Sequence, residues 1–174
     1  MTSSERIELV SPSLRFKHMF SEERLAIAIA LGSRAQAIEH IGSTAIEGIV
    51  AKPIVDILVG MRDALNTAIE PLTSSGYVYS FDPEQQDRLV FWKGVPRTFH
   101  VHVTQFDGPE WRRHIVFRDW LNLHSDVAKE YEALKQDLAR RFEGDRAAYT
   151  NGKTEFCHRI EREAAKFPAL RLLR

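Results

Sequence analysis

The sequence predicts an α+β domain, in which a small mixed β-sheet is covered by helices and the C-terminal part is helical. Three observations lead to this fold class. One helical segment opens the chain, strand-like segments dominate up to about residue 105, and helical periodicity takes over after Gly108-Pro109. A length of 174 residues is typical of one domain, so residues 1–174 are predicted to form a single unit.

The first predicted helix follows a polar, irregular segment over residues 1–17. Ser21-Glu22-Glu23 combines a capping side chain with an acidic first turn, which favours a helix start. Leu25, Ile29 and either Ala28 or Gly32 are expected to share its apolar face, and Gly32-Ser33 is expected to end it.

The predicted sheet is built from five short segments. The first two are residues 37–41 and 53–59, and the second is apolar except for Asp56, as in a strand buried on both faces. A helix over 62–74 is predicted to follow, and then strands over 77–81, 88–92 and 98–104. In the last strand, His100 and His102 alternate with three apolar residues, so the two imidazoles are expected on one face.

Three helices are predicted after residue 109, over residues 110–123, 125–142 and 145–165. The second has an apolar stripe with a spacing of 4, 3 and 4 residues, formed by Val127, Tyr131, Leu134 and Leu138. The third is expected to bury Phe156 and Ile160 and to have a weak point at Asn151-Gly152.

The composition excludes several classes of protein. There are 24 basic and 24 acidic residues, and this balance argues against non-specific nucleic-acid binding. Because no run approaches the ~18 apolar residues of a membrane span and the N-terminus lacks a signal-peptide core, a cytoplasmic protein without membrane contact is expected. The lone Cys157 leaves no internal disulfide, and homodimerisation stays open.

One segment carries the strongest chemical signal. A Gly42-Ser43 turn between two strands can bring backbone N–H groups and a hydroxyl close to a phosphate, although plain Gly-Ser turns are common. Thr44 and Lys52 offer further donors to the same phosphate. Asp56 on the next strand can hold a divalent cation against it, or form a structural ion pair.

The later residues offer a second set of candidates. His102, and less so His100, is a candidate site residue, with a solvated sheet face as the alternative. Lys135 and Lys153 each follow a tyrosine by four residues, so ring and ammonium can meet on a helix and hold a nucleotide, or pack without function. Arg118 can neutralise Asp119 or reach an anion in the cleft.

These residues resemble the signature of the GrpB family. The resemblance rests on Glu39-His40-Ile41-Gly42-Ser43-Thr44 and Lys52-Pro53-Ile54-Val55-Asp56-Ile57, and continues through His100-Val101-His102-Val103 and Phe117-Arg118-Asp119-Trp120-Leu121 to Phe156. It covers about residues 15–165, which are expected to form the core of the domain.

GrpB proteins are similar to the nucleotidyltransferase superfamily, which implies a nucleotidyltransferase-like mixed sheet flanked by helices. The resemblance further implies that Gly42 and Ser43 hold a triphosphate and that Asp56, with His102, holds Mg²⁺ or Mn²⁺. An enzyme of this kind would transfer a nucleoside monophosphate from a metal-bound NTP to a small-molecule acceptor. Lys52, Lys135 or Lys153 would neutralise phosphate charge.

Two departures from the superfamily pattern keep other functions open. Leu58 stands where a second metal-binding acid is expected, and Ala45-Ile46-Glu47 replaces the usual small residue and proline, with Glu47 as a substitute ligand. The first alternative is a degenerate module that binds a nucleotide or phosphometabolite, linked to coenzyme A metabolism because GrpB-like domains occur fused to dephospho-CoA kinase. The second alternative is a domain that binds a partner protein.

Overall fold

The computed structural model describes residues 7–81, 83 and 87–167, which form a five-stranded mixed sheet flanked by helices. The strands are β1 (Ala35–Ile41), β2 (Val55–Met61), β3 (Val78–Ser80), β4 (Arg88–Lys93) and β5 (Phe99–Gln105). The helices are α1 (Leu14–Leu31), α2 (Ile69–Ser74), α3 (Pro109–Leu123), α4 (Ser125–Arg141), α5 (Arg146–Asn151) and α6 (Thr154–Ala165). The predicted α+β class is confirmed.

The sheet has the strand order β1-β2-β5-β4-β3. Only β2 and β5 run parallel, and the other neighbours are antiparallel. The parallel pair aligns Asp56 with His100 and Leu58 with His102, while the antiparallel pair aligns Ile41 with Asp56. Three strand segments that are distant in sequence therefore meet around Asp56.

The two faces of the sheet have different roles. One face forms the main core, where alternate residues of β2 and β5 pack on α1 and α2 through Val55, Ile57, Val59, Val101, Val103, Phe16, Ile27, Leu31 and Leu72. The other face carries Asp56 and both histidines, and α3 covers part of it through Trp111 and Ile115. A second core lies among α3, α4 and α6.

The predicted start of the first helix was wrong, and the two large residues of its predicted apolar face are exposed. The helix begins at Leu14, because the Ser13 side chain accepts a hydrogen bond from the backbone of Arg15. Leu25 and Ile29 are 63% and 76% exposed.

The buried face of α1 instead includes Glu23, an acid that an apolar pattern assigns to solvent. Its carboxylate accepts hydrogen bonds from the Tyr77 hydroxyl and from Lys93 Nζ, the latter at 2.7 Å. Burial is tolerated because both partners satisfy the carboxylate.

Two other predicted helices were shorter than expected. The segment 62–74 is α-helical only in α2, preceded by a 3-10 turn over Leu65–Ala68. The segment 145–165 divides into α5 and α6 near the predicted weak point, where a Cβ on Gly152 would overlap the Leu138 side chain. Phe156 and Ile160 are buried as predicted, and no helix among the described residues is long and apolar enough to cross a membrane.

Candidate functional site

Asp56 lies at the centre of the polar sheet face. Its Oδ1 is 3.2 Å from Nδ1 of His100 and 3.9 Å from Nε2 of His102. Burial alone would raise the pKa of Asp56, but the hydrogen bond from His100 and the nearby His102 imidazole outweigh it and hold this pKa below its usual range. Asp56 is therefore a carboxylate at neutral pH, with 28% of its side chain exposed.

The Gly42 turn is in direct contact with this carboxylate. Gly42 has φ +71°, and a Cβ at this position would overlap Asp56 Oδ2 and lie 2.9 Å from the Asp56 Cβ. Glycine is required here both by the left-handed backbone and by the space that Asp56 occupies. The structure thus places the turn and the acid of the sequence motif in direct contact.

Thr44 anchors the same turn. Its Oγ1 donates to the backbone oxygen of Ile54 and lies 2.9 Å from Nε2 of His40. Burial lowers the pKa of His40 to about 4, so this imidazole is neutral at neutral pH and its Nε2–H donates to the threonine. Ser43 begins the short 3-10 helix Ser43–Ala45, and its side chain interacts with the hydroxyl of buried Tyr131.

Lys52, Lys135 and Lys153 lie within electrostatic reach of one another through Lys153; we call them the lysine cluster. Lys52 Nζ and Lys153 Nζ lie 5.2 and 4.7 Å from the centre of the Tyr149 ring. Lys135 Nζ lies 4.9 Å from the centre of the Tyr131 ring and donates to the backbone oxygen of Val50.

All three lysines have lowered pKa values. Burial is the main cause in each, and the charge of Lys153 adds to it for the other two. The pKa of Lys52 falls to about 8 and that of Lys135 to about 7. Asp56 partly offsets this effect at Lys52 and Lys153, which places the carboxylate within electrostatic reach of both ammonium groups.

Arg118 is engaged by acidic residues at the edge of the site. Its Nη1 donates to Glu39 Oε2 at 2.8 Å and to the His40 backbone oxygen at 2.9 Å, and its Nε donates to Asp119 at 2.7 Å. These bonds tie α3 to β1 directly before the Gly42 turn. A direct role for Arg118 in phosphate binding stays a prediction.

Residues 6–163 match the family described as GrpB protein. The chain belongs to the GrpB family. It is 37% identical, over 89% of this chain and 94% of the relative, to the glutamate-rich protein GrpB of Alkalihalophilus pseudofirmus. A crystal structure of the conserved GrpB from Enterococcus faecalis has a TM-score of 0.83 at 32% identity, covering 91% of this chain and 98% of that one.

A more distant similarity extends to a longer protein. The dephospho-CoA kinase of Mycobacterium bovis is 28% identical over 155 residues, which are 73% of this chain and 38% of that enzyme. The similarity thus concerns a minor part of that enzyme's length.

Leu58, which stands where a second metal-binding acid was expected, has apolar surroundings in this GrpB chain. Leu58 is fully buried and packs with Ile41 of β1 and with Trp111 and Ile115 of α3. A carboxylate at position 58 would therefore lie beneath α3. Glu47, the substitute acid suggested by the sequence, forms an ion pair with Lys17 at 2.7 Å.

Two further histidines lie near Asp56 and His102, whereas the sequence prediction ranked His102 above His100 and did not include His114. His100 lies closer to Asp56 than His102 does, because the parallel register of β2 and β5 pairs Asp56 with His100. The sequence alone does not give this register. His114 of α3 lies with its ring centre 5.6 Å from that of His102, and burial lowers its pKa to about 3. Only the packing of α3 on the sheet reveals His114.

The donor set gives limited support to the expected metal. Among residues 7–81, 83 and 87–167, no group of three or more His, Cys, Asp and Glu side chains is arranged to hold a metal ion. Asp56 offers one carboxylate, and an imidazole such as His102 is a poor ligand for Mg²⁺. These residues do not fit a self-contained Mg²⁺ centre, although Mg²⁺ often enters a site bound to phosphates through one or two carboxylates.

Proposed function

We propose that this GrpB protein binds a phosphorylated small molecule, with nucleotides as the best-fitting class, between the Gly42-Ser43 turn and the lysine cluster. The observation that carries the proposal is the gathering of three largely buried ammonium groups, two of them within electrostatic reach of the Asp56 carboxylate that contacts the Gly42 turn. Buried cations are costly unless anions compensate them. An anionic ligand would supply the charge that the surrounding acids leave uncompensated.

The acids around the lysine cluster support this argument. The charge of Asp56 favours the ammonium forms of Lys52 and Lys153, and the charge of Glu132 favours that of Lys135. Glu132 is itself bonded to Lys129 at 2.9 Å and to the backbone N–H of Val50. The cluster therefore keeps a positive excess, and the backbone N–H groups of the turn add partial positive charge.

Metal-dependent nucleotidyl transfer is the second candidate function. It is favoured by Asp56, a carboxylate held ionised beside a turn suited to phosphate. In this case Mg²⁺ or Mn²⁺ would arrive with the NTP, and Asp56 would add a ligand. The partial similarity to a dephospho-CoA kinase adds coenzyme A and dephospho-CoA to the ligands worth testing.

The deciding experiment measures the melting temperature with each of the four NTPs, coenzyme A and dephospho-CoA, with and without Mg²⁺ or Mn²⁺. A ligand at ~100 times its Kd stabilises the fold by ~2.7 kcal/mol, which gives a clear shift. We expect Lys153→Gln to abolish the shift and the exposed Lys166→Gln to retain it. Absence of a shift with every ligand would contradict the proposal.

The metal arms of the experiment separate the two functions. A shift that needs no metal and survives in Asp56→Asn supports binding alone. A shift that requires metal and is lost in Asp56→Asn, together with transfer of the nucleoside monophosphate to an acceptor hydroxyl or phosphate and release of pyrophosphate, supports nucleotidyl transfer.

Binding should also take up protons. A phosphate beside the lysine cluster favours the charged ammonium groups, so it raises the lowered pKa values of Lys52 and Lys135. At pH 8 we expect uptake of about one proton per ligand, visible in calorimetry as a binding enthalpy that depends on the buffer's ionisation enthalpy. Proton release on binding would contradict this placement of the phosphate.

A further inference from the structure

A second basic surface adjoins the lysine cluster. It is a groove of about 600 Å³ between the N-terminal segment before α1, the loop that contains Lys52, the β4–β5 connection and α5. Four cationic residues line it: Arg15, Lys52, Arg97 and Arg146. Glu8 is the acidic residue among the described residues of its lining. We call this surface the arginine groove.

The arginine groove and the lysine cluster share Lys52. Burial is the main cause of the lowered pKa of Lys52, and the charges of Lys153 and Arg146 add to it, so its ammonium group lies within electrostatic reach of both cations. Lys153 belongs to the cluster, and Arg146 to the groove. The two basic surfaces are thus continuous through one side chain.

Arg97 is held in a defined position within the arginine groove. Its guanidinium lies 4.6 Å from the centre of the Trp92 ring, and Trp92 neighbours His100 on the sheet. A stacked guanidinium keeps its planar edge available for hydrogen bonds to a phosphate. Arg15 reaches the groove from the first turn of α1.

We propose that the arginine groove binds a second phosphate group of the same ligand, separate from the phosphate held by the lysine cluster. This inference rests on the proposed function and narrows it, because it selects ligands with two phosphate centres. The volume is that of a small-molecule site. A nucleotide with a diphosphate or triphosphate at one end and a further phosphate on the ribose has the required chemistry.

The test uses coenzyme A and dephospho-CoA, two ligands that differ by one ribose phosphate. Dissociation constants are measured by calorimetry at pH 7.0 and constant ionic strength, because such contacts depend on salt. We expect the unaltered protein to bind coenzyme A about tenfold more tightly than dephospho-CoA, because the ribose phosphate adds one charge-assisted contact. In the double variant Arg15→Gln/Arg97→Gln, we expect the two affinities to agree within about twofold.

Control variants separate the groove from general charge effects. Arg140→Gln removes a positive charge from the exposed end of α4 and should retain the preference. Arg97→Lys keeps the charge without the planar guanidinium, so it should lose part of the preference for coenzyme A over dephospho-CoA. The double variant should bind dephospho-CoA as the unaltered protein does, which also shows that it is folded.

The outcomes distinguish the two proposals. Equal affinity of the unaltered protein for both ligands would overturn the second phosphate site and leave the proposed function standing. A preference that persists in the double variant would also overturn it. If neither these ligands nor the NTPs bind, the proposed function itself fails.

Discussion

Replacing Lys135 with methionine should stabilise the protein at neutral pH while it weakens ligand binding. Lys135 is 1% exposed, and burial together with Lys153 lowers its pKa from 10.5 to about 7. A fall of the pKa from 10.5 to about 7 corresponds to at most about 5 kcal/mol of destabilisation when the lysine is charged. Methionine fills a similar space without the charge.

The net effect is smaller because Val50 loses a hydrogen-bond donor. An unsatisfied carbonyl costs about 1–3 kcal/mol, so we expect Lys135→Met to be more stable by at most roughly 2–4 kcal/mol at pH 6.5. The folded-state pKa lies below the unfolded one, so the unfolded chain binds more protons between pH 7 and 10.5. The unaltered protein therefore gains stability as pH rises through this window.

The assay is urea unfolding of both proteins at several pH values from 6.5 to 9.5. The stability advantage of Lys135→Met should shrink by about 3 kcal/mol across this range, since the unaltered Lys135 loses its proton there. The exposed Lys166→Met serves as control and should differ from the unaltered protein by a pH-independent amount. A Lys135→Met variant that is less stable at pH 6.5, or a constant difference, would refute the argument that the cluster holds uncompensated charge.

Three further predictions follow from individual side chains. Gly42→Ala should lower the free energy of unfolding by at least about 2 kcal/mol and abolish most of the ligand affinity. Gly48→Ala, where φ is +74° and a Cβ meets open space, should lower it by only about 1 kcal/mol, and equal losses would contradict the close contact of Gly42 with Asp56. Leu58→Asp should lose roughly 3–5 kcal/mol in urea unfolding and gain no Mg²⁺ binding, because its carboxylate would be buried beneath α3. The pKa of His114 is lowered to about 3, so the unfolded chain binds more protons than the folded one between pH 3 and 6.5, and stability is lost as pH falls through this range. His114→Gln should reduce that loss by up to about 1 kcal/mol per pH unit in acid unfolding, whereas the exposed His158→Gln should leave it unchanged.

The strands were predictable because their side chains follow simple rules. Alternation in β5 placed His100 and His102 opposite its apolar residues, and the apolar run of β2 indicated burial on both faces. The first helix was misjudged because Glu23 is buried against Tyr77 and Lys93, and such partners are distant in sequence. A pattern of apolar residues cannot indicate a buried acid whose partners come from other elements.

The candidate site was predictable where it depends on local structure. The Gly42 turn and Asp56 were recognised as elements of one motif, and the i, i+4 spacing correctly indicated that Lys135 and Lys153 contact tyrosine rings. The sequence did not indicate that Lys52 and Lys153 contact the same Tyr149 ring, because this requires α5, which carries Tyr149, to lie against the loop before β2. The same holds for the burial of Leu58 beneath α3.

The charges at the site make metal dependence the most informative property of any ligand. An ionised Asp56 in contact with the Gly42 turn repels a phosphate placed there, while the lysine cluster attracts it. A phosphate that binds near the lysines and away from Asp56 needs no metal. A phosphate that binds against the turn needs a cation between itself and Asp56, since like charges at that separation in a partly buried site are strongly unfavourable. The effect of Mg²⁺ on affinity therefore indicates where the phosphate lies, and whether Asp56 is a ligand for a metal or a fixed charge that directs the phosphate towards the lysines.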